Sequence, residues 1–170
     1  MHLEVLPMRL APPVDKAQRK AYADILQRFL DFELTNDEYE DLYYDMGDKT
    51  TSGDPAVLEI FHQVWGLYDD RYTHKLCGKY KPTNEDLEFV QRCILFLNSH
   101  EPFLWRSAFR VGFCQSVVFL FLNLLIHTTG LFQRLKYKIH YNAFGMDGCL
   151  DVWPFYHRED YERESARTKS

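Results

Sequence analysis

Residues Asp54–Leu76, DPAVLEIFHQVWGLYDDRYTHKL, carry the pattern that decides the fold. Val57, Ile60 and Phe61, Val64, Leu67 and Tyr68, then Tyr72 and Leu76 recur in steps of three and four. That spacing brings them to one face of an α-helix, and a face so apolar has to be buried. Asp54 can accept hydrogen bonds from the free N–H groups of a first turn, and Pro55 gives up only a donor that had no partner there. The spacing predicts one helix from Asp54 to Leu76, followed by Gly78 as a left-handed cap.

The flanking segments have the same character. Between Asp15 and Phe32, Tyr22, Ile25, Leu26, Phe29 and Phe32 share a face, leaving Lys16, Arg19, Lys20, Asp24 and Arg28 for the other side. Thr35 and Glu38 have capping-box spacing and predict a short second helix with Tyr39, Leu42, Tyr43 and Met46 inward, ending near Gly47. Asp48–Gly53 is a polar loop. Thr83 predicts the cap of a further helix, with Leu87, Val90, Cys93, Ile94 and Leu97 as its stripe and an end before Pro102. Short connections favour antiparallel neighbours. The expected fold is therefore all-α: an irregular arm over 1–14, an antiparallel four-helix arrangement over 15–100, an apolar helical segment over 101–140, and an irregular tail over 141–170.

A chain of 170 residues with 46% hydrophobic and 26% charged residues can fold as one domain and is not of disordered composition. Its net charge of −5 argues against nucleic acid as a partner. The charge is unevenly spread. Asp31, Glu33, Asp37, Glu38, Glu40, Asp41, Asp45, Asp48 and Asp54 face Lys49 alone, whereas Arg106, Arg110, Arg134, Lys136 and Lys138 occur without a carboxylate between them. Cys77, Cys93, Cys114 and Cys149 show no C-x-x-C spacing. Met1–Lys16 lacks the basic and apolar regions of a signal peptide, so a cytoplasmic setting is expected.

Val111–Phe132 holds no charged residue and is densest at Val117, Val118, Phe119, Leu120, Phe121, Leu122, Leu124, Leu125 and Ile126. A membrane span needs about 20 predominantly apolar residues, and Gln115, Ser116, Asn123 and His127 dilute this one. The dilution favours a buried fifth helix, whereas a helical hairpin turning near Thr128-Thr129-Gly130 would keep both basic flanks on one face of a membrane. The alternative is a helix lying at the inner membrane surface, with the flanking Arg and Lys residues at anionic headgroups. Further on, Pro154 keeps Trp153 out of a helix, so Trp153 and Phe155 are expected to pin an extended tail across an apolar groove. After Asp160 the tail is expected to fray.

Few residues have the spacing of a chemical site. Asp70 and His74 stand at i, i+4 on the expected helix, and Glu59 and His62 form one Glu-x-x-His pair with no second copy over 15–99. Cys149 with His157 or His140 lacks an orienting third group. No G-x-S-x-G and no glycine-rich phosphate loop occurs. Catalytic residues, cofactor and metal are therefore not expected. The most distinctive polar feature is the acidic second helix, where Tyr39, Tyr43 and Tyr44 are interleaved with Asp37, Glu38, Glu40, Asp41 and Asp45. It is a solvated face or a docking surface for a basic protein, with tyrosines as anchors.

The segments FLDFELTNDEYED, DPAVLEIFHQVWGLYDD, HKLCGKY, RCILFLNS and DVWPFYHREDYE together resemble a family of small bacterial helical proteins with a WPF-type C-terminal motif, over about residues 21–162. One departure is Phe103-Leu104-Trp105-Arg106, where that pattern has a Trp-Pro pair. The helix ending in FLDFEL and the acidic helix after it are also similar to immunity proteins of the colicin D type, acidic inhibitors that occlude a basic toxin domain. The resemblance implies a bacterial origin, a helical architecture and a binding role, and it assigns no catalytic residue.

Overall fold

The computed structural model describes residues 14–46, 53–105 and 148–169. Among these residues are five α-helices: α1 Lys16–Leu30, α2 Asn36–Asp45, α3 Pro55–Trp65, α4 Asn84–Asn98 and α5 Arg158–Thr168. No strand occurs among the described residues. Helix α1 touches α2, α3 and, most extensively, α4, while α3 and α5 also pack on α4. The apolar segment 111–132, with Val117–Ile126 at its centre, lies outside the described residues. Among those that are described, no helix is long and apolar enough to cross a membrane.

Local signals start the helices. Asp15 accepts from Gln18 N–H at α1, and Thr35 and Glu38 form a reciprocal capping box at α2. Asp54 caps α3 ahead of Pro55, and Thr83 and Asp86 repeat the box at α4. Each satisfies donors that a helix start leaves free. Tyr22, Leu26, Phe29, Tyr39, Ile60, Val64, Cys93 and Phe96 meet in one core.

Two residues expected of the first helix depart from that reading. Phe32 follows the helix instead of sharing its inner face, is 41% exposed, and has φ 61. Glu33 N–H bonds Arg28 O at 3.0 Å and Phe32 N–H bonds Phe29 O at 3.2 Å. This is a Schellman ending with phenylalanine where glycine is usual. Arg19 is buried and not on the outer side. Its Nε and Nη2 donate to the two oxygens of Asp54 at 2.6 and 3.1 Å, and Nη1 donates to Glu101 O at 2.7 Å. The partner that makes this burial tolerable is itself 3% exposed.

The organising helix stops at Trp65, short of Leu76, with Gly66 as its C-cap. The chain then crosses the start of α2, and Asn36 replaces the missing helical bonds. Its N–H donates to His74 O at 2.9 Å, and its Oδ1 accepts from His74 N–H at 2.7 Å. Its amide nitrogen donates to Tyr72 O at 3.3 Å. Backbone groups satisfied this way have no need of a helix. Leu76 still reaches the core, but Tyr72 is exposed. Gly78, at φ 58, opens a 3-10 turn over Gly78–Tyr80 and does not cap α3.

In the tail, Trp153 and Phe155 are buried. Trp153 stacks on Phe89 with centroids 5.5 Å apart, and Phe155 meets Phe96 edge-on at 5.0 Å. Arg92 Nε donates to Trp153 O at 2.7 Å and Trp105 Nε1 to Pro154 O at 2.9 Å, bonding the segment to α4 and to the stretch after it. The Trp153–Pro154 peptide is cis. Instead of fraying past Asp160, the chain forms α5. Arg163 bridges Asp160 at 2.8 Å and Glu101 at 2.5 Å, and Tyr161 packs 5.6 Å from Phe155.

Candidate interaction surface

Helix α2 presents two different rows. Its inner row is Tyr39 and Tyr43, four residues apart and both buried. Tyr39 stacks on Phe29 at 4.5 Å and its hydroxyl pairs with that of Tyr22 at 2.6 Å. Burial raises the phenol pKa of both Tyr22 and Tyr39 above the usual range. Tyr43 lies flat on Phe61 at 3.6 Å. These two tyrosines therefore cannot touch a partner, which corrects their place among the docking residues. The helical period that put them inward outweighs their position between carboxylates.

The outer row is Asp37, Asp41 and Asp45, spaced i, i+4, i+8 and all exposed. Tyr44 joins it, 62% exposed, with its ring T-shaped to Tyr43 at 5.4 Å and to Phe61 at 5.8 Å. Three of the acids, Asp37 of the outer row among them, have partners within the chain. Glu38 Oε2 accepts from Thr35 N–H at 2.8 Å, and this bond, with a second to the Thr35 hydroxyl, holds its carboxyl below the usual range. Glu40 accepts from Tyr68 O–H at 2.8 Å, and Asp37 accepts from the hydroxyl of Thr73. Burial, first of all, pushes the Tyr68 phenol upward.

Asp41 and Asp45 have no hydrogen-bond or ion-pair partner among the described residues. Their placement is unfavourable for the isolated helix. Like charges at i, i+4 repel by about 0.2–0.5 kcal/mol per pair, and a carboxylate in the last turn faces the negative end of the helix dipole. No basic residue occupies that last turn. Trp65, 47% exposed, lies on α3 one turn beyond Phe61. It was not among the expected docking residues, although its position outside the Val57–Ile60–Phe61–Val64 stripe already implied an exposed ring.

The other chemical candidates do not assemble. Asp70 and His74 share no helix. Asp70 is exposed, while His74 is buried, with Nδ1 2.7 Å from Tyr72 O and its ring 3.8 Å from Tyr80. Glu59 is buried on α3 and His62 is half-buried beside it. Cys149 Sγ lies 3.6 Å from Arg158 Nη2, His157 packs on Tyr156, and His140 is outside the described residues. Among the described residues no group of three His, Cys, Asp or Glu side chains is placed to hold a metal. An apolar gap between Phe29, Val64, Leu76 and Val90 holds about 10 Å³, space for one water and not for a ligand.

Compared with known proteins, the chain matches no family model, no curated protein and no solved structure.

Proposed function

We propose that this is a non-catalytic interaction protein of the immunity or inhibitor type, which docks a basic protein partner through the outer face of α2. The observation that carries the proposal is the row Asp37, Asp41 and Asp45 beside the exposed ring of Tyr44, with no cation described against Asp41 or Asp45. A fixed carboxylate row raises the association rate with a basic partner and repels acidic competitors. An exposed, rigidly seated tyrosine supplies the contact area that such a row lacks. The similarity to acidic immunity proteins leans the same way, and a cytoplasmic setting belongs to the same proposal.

The test uses Asp41→Lys/Asp45→Lys as bait beside the wild-type chain, in affinity capture from the source cell at low and high salt. Both residues are exposed and outside the capping box, so the circular dichroism spectrum should not change, and the unfolding midpoint should hold or rise slightly, since lysines suit the last turn of the helix. The expected result is a basic protein retained by the wild-type chain at low salt and lost from the variant. Equal recovery on both baits would refute the proposal.

A further inference from the structure

We infer, building on the docking surface proposed above, that the outer face of α2 is suited to an arginine-bearing segment in particular, with Tyr44 as the platform for a guanidinium and Asp41 as its carboxylate partner. The ring of Tyr44 is 62% exposed, and its orientation is set by edge contacts to Tyr43 and Phe61, which belong to the core. Glu40 and Asp41 stand four and three residues before it, spacings that place side chains next to one another on a helix. Glu40 is engaged by Tyr68 O–H, whereas Asp41 is exposed and has no partner among the described residues.

A guanidinium is planar, weakly hydrated on its faces, and carries its donors in the ring plane. It can therefore lie on an aromatic face and bond a carboxylate at the same time, which a compact and strongly hydrated ammonium does less well. The molecule already assembles this combination in its interior. Arg19 pairs with both oxygens of Asp54 while its Cζ sits 4.9 Å from the centroid of Phe96. On α2 the carboxylate and the ring are present, and no described residue supplies the cation. Asp37 and Asp45, one turn to either side, add attraction for the neighbouring charges of a basic segment.

The test titrates the full chain with capped hexa-arginine and capped hexa-lysine at low ionic strength, by calorimetry. Hexa-arginine should bind more tightly by roughly two- to fivefold, the worth of an exposed cation–π contact. Tyr44→Leu should bring the two peptides to equal affinity, and Tyr44→Phe should keep the preference. Asp41→Asn weakens both peptides and narrows the gap, and it serves as the readout should Tyr44→Leu perturb the fold. Equal affinities in the wild-type chain, or a preference unmoved by Tyr44→Leu and Asp41→Asn, would overturn the arginine assignment and leave the basic-partner proposal standing. Failure of both peptides to bind would overturn both.

Discussion

Arg19→Met is expected to be among the most damaging single changes in this chain. Asp54 is 3% exposed and accepts four bonds: Asp15 N–H at 3.0 Å, Ala56 N–H at 2.9 Å, and Arg19 Nε and Nη2 at 2.6 and 3.1 Å. Methionine fills part of the volume but removes the one side-chain cation that the described residues place on that carboxylate, and with it the bond to Glu101 O and the contact with Phe96. Breaking one side of a buried ion pair costs about 3–5 kcal/mol, because the other charge stays behind. A domain of this kind has about 5–15 kcal/mol in total, so the variant should lose roughly a fifth of its stability at the least. Urea unfolding followed by circular dichroism gives the value, with an unchanged slope required for the comparison. The double variant Arg19→Met/Asp54→Asn should be less damaged than the sum of its parts, since no buried charge is left unpaired. A loss under about 1 kcal/mol for Arg19→Met alone, or strict additivity in the double variant, would refute the reasoning.

Gly148→Ala should lower stability by about 1–3 kcal/mol, seen as a lower melting temperature, because the added Cβ would lie 2.6 Å from the Trp105 ring and 2.9 Å from Tyr156. The Trp105 ring is held by its bond to Pro154 O and cannot swing away freely. Phe32→Gly should raise stability by up to about 1 kcal/mol in chemical denaturation, since φ 61 strains any residue with a side chain; a loss instead would mean that the half-covered ring outweighs the strain. Glu38 has a lowered carboxyl pKa in the folded chain, owing first to its bond with Thr35 N–H. Its contribution is therefore present in full above the unfolded carboxyl pKa and is lost as pH falls through the lower folded value. The stability difference between wild type and Glu38→Gln should shrink under acid and stay constant above about pH 6; a difference that grew under acid would contradict the cap.

The parts of the fold that the sequence made legible are those set by neighbours in the chain. Thr35 with Glu38, Thr83 with Asp86, and Asp54 with Pro55 each act within four residues, and each starts a helix where its spacing says. The end of α3 was not legible, because the stop comes from Asn36, a residue 38 positions from His74 in the chain. Periodicity over Asp54–Leu76 is real up to Val64. Beyond it, Leu67, Tyr68 and Leu76 are apolar because a folded-back loop also faces the core. The burial of Arg19 was hidden for the same reason, since a basic residue reads as outward until its partner 35 positions away is known. Helix α5 could have been anticipated: Asp160 with Arg163 and Glu164 with Arg167 lie at i, i+3, a spacing that supports a polar helix.

For the candidate surface, the exposed and buried rows of α2 follow from one fact about helices. Tyr39 and Tyr43 lie on the side that the stripe Leu42, Tyr43 and Met46 turns toward α1, so interleaving with acids could not make them surface residues. Glu38 was separable through its capping-box spacing to Thr35, but Glu40 and Asp37 were not, because they take up partners from the distant Tyr68 and Thr73. The same stacking that removes Tyr39 and Tyr43 from the surface helps the residues left on it. A helix whose inner side is stacked ring on ring against Phe29 and Phe61 holds its outer side in one orientation. A partner meeting Asp41, Tyr44 and Asp45 would then lose little further freedom on the protein's side, and preorganisation of this kind raises affinity without adding contacts. In the proposed interaction the core tyrosines would thus serve the surface carboxylates by holding them in place. Tyr43→Ala should consequently weaken binding to a basic peptide more than the loss of any contact would explain, and Asp45→Asn should weaken it without touching the fold. If Tyr43→Ala destabilised the chain yet bound the peptide as the wild type does, orientation of the outer row would have no part in recognition.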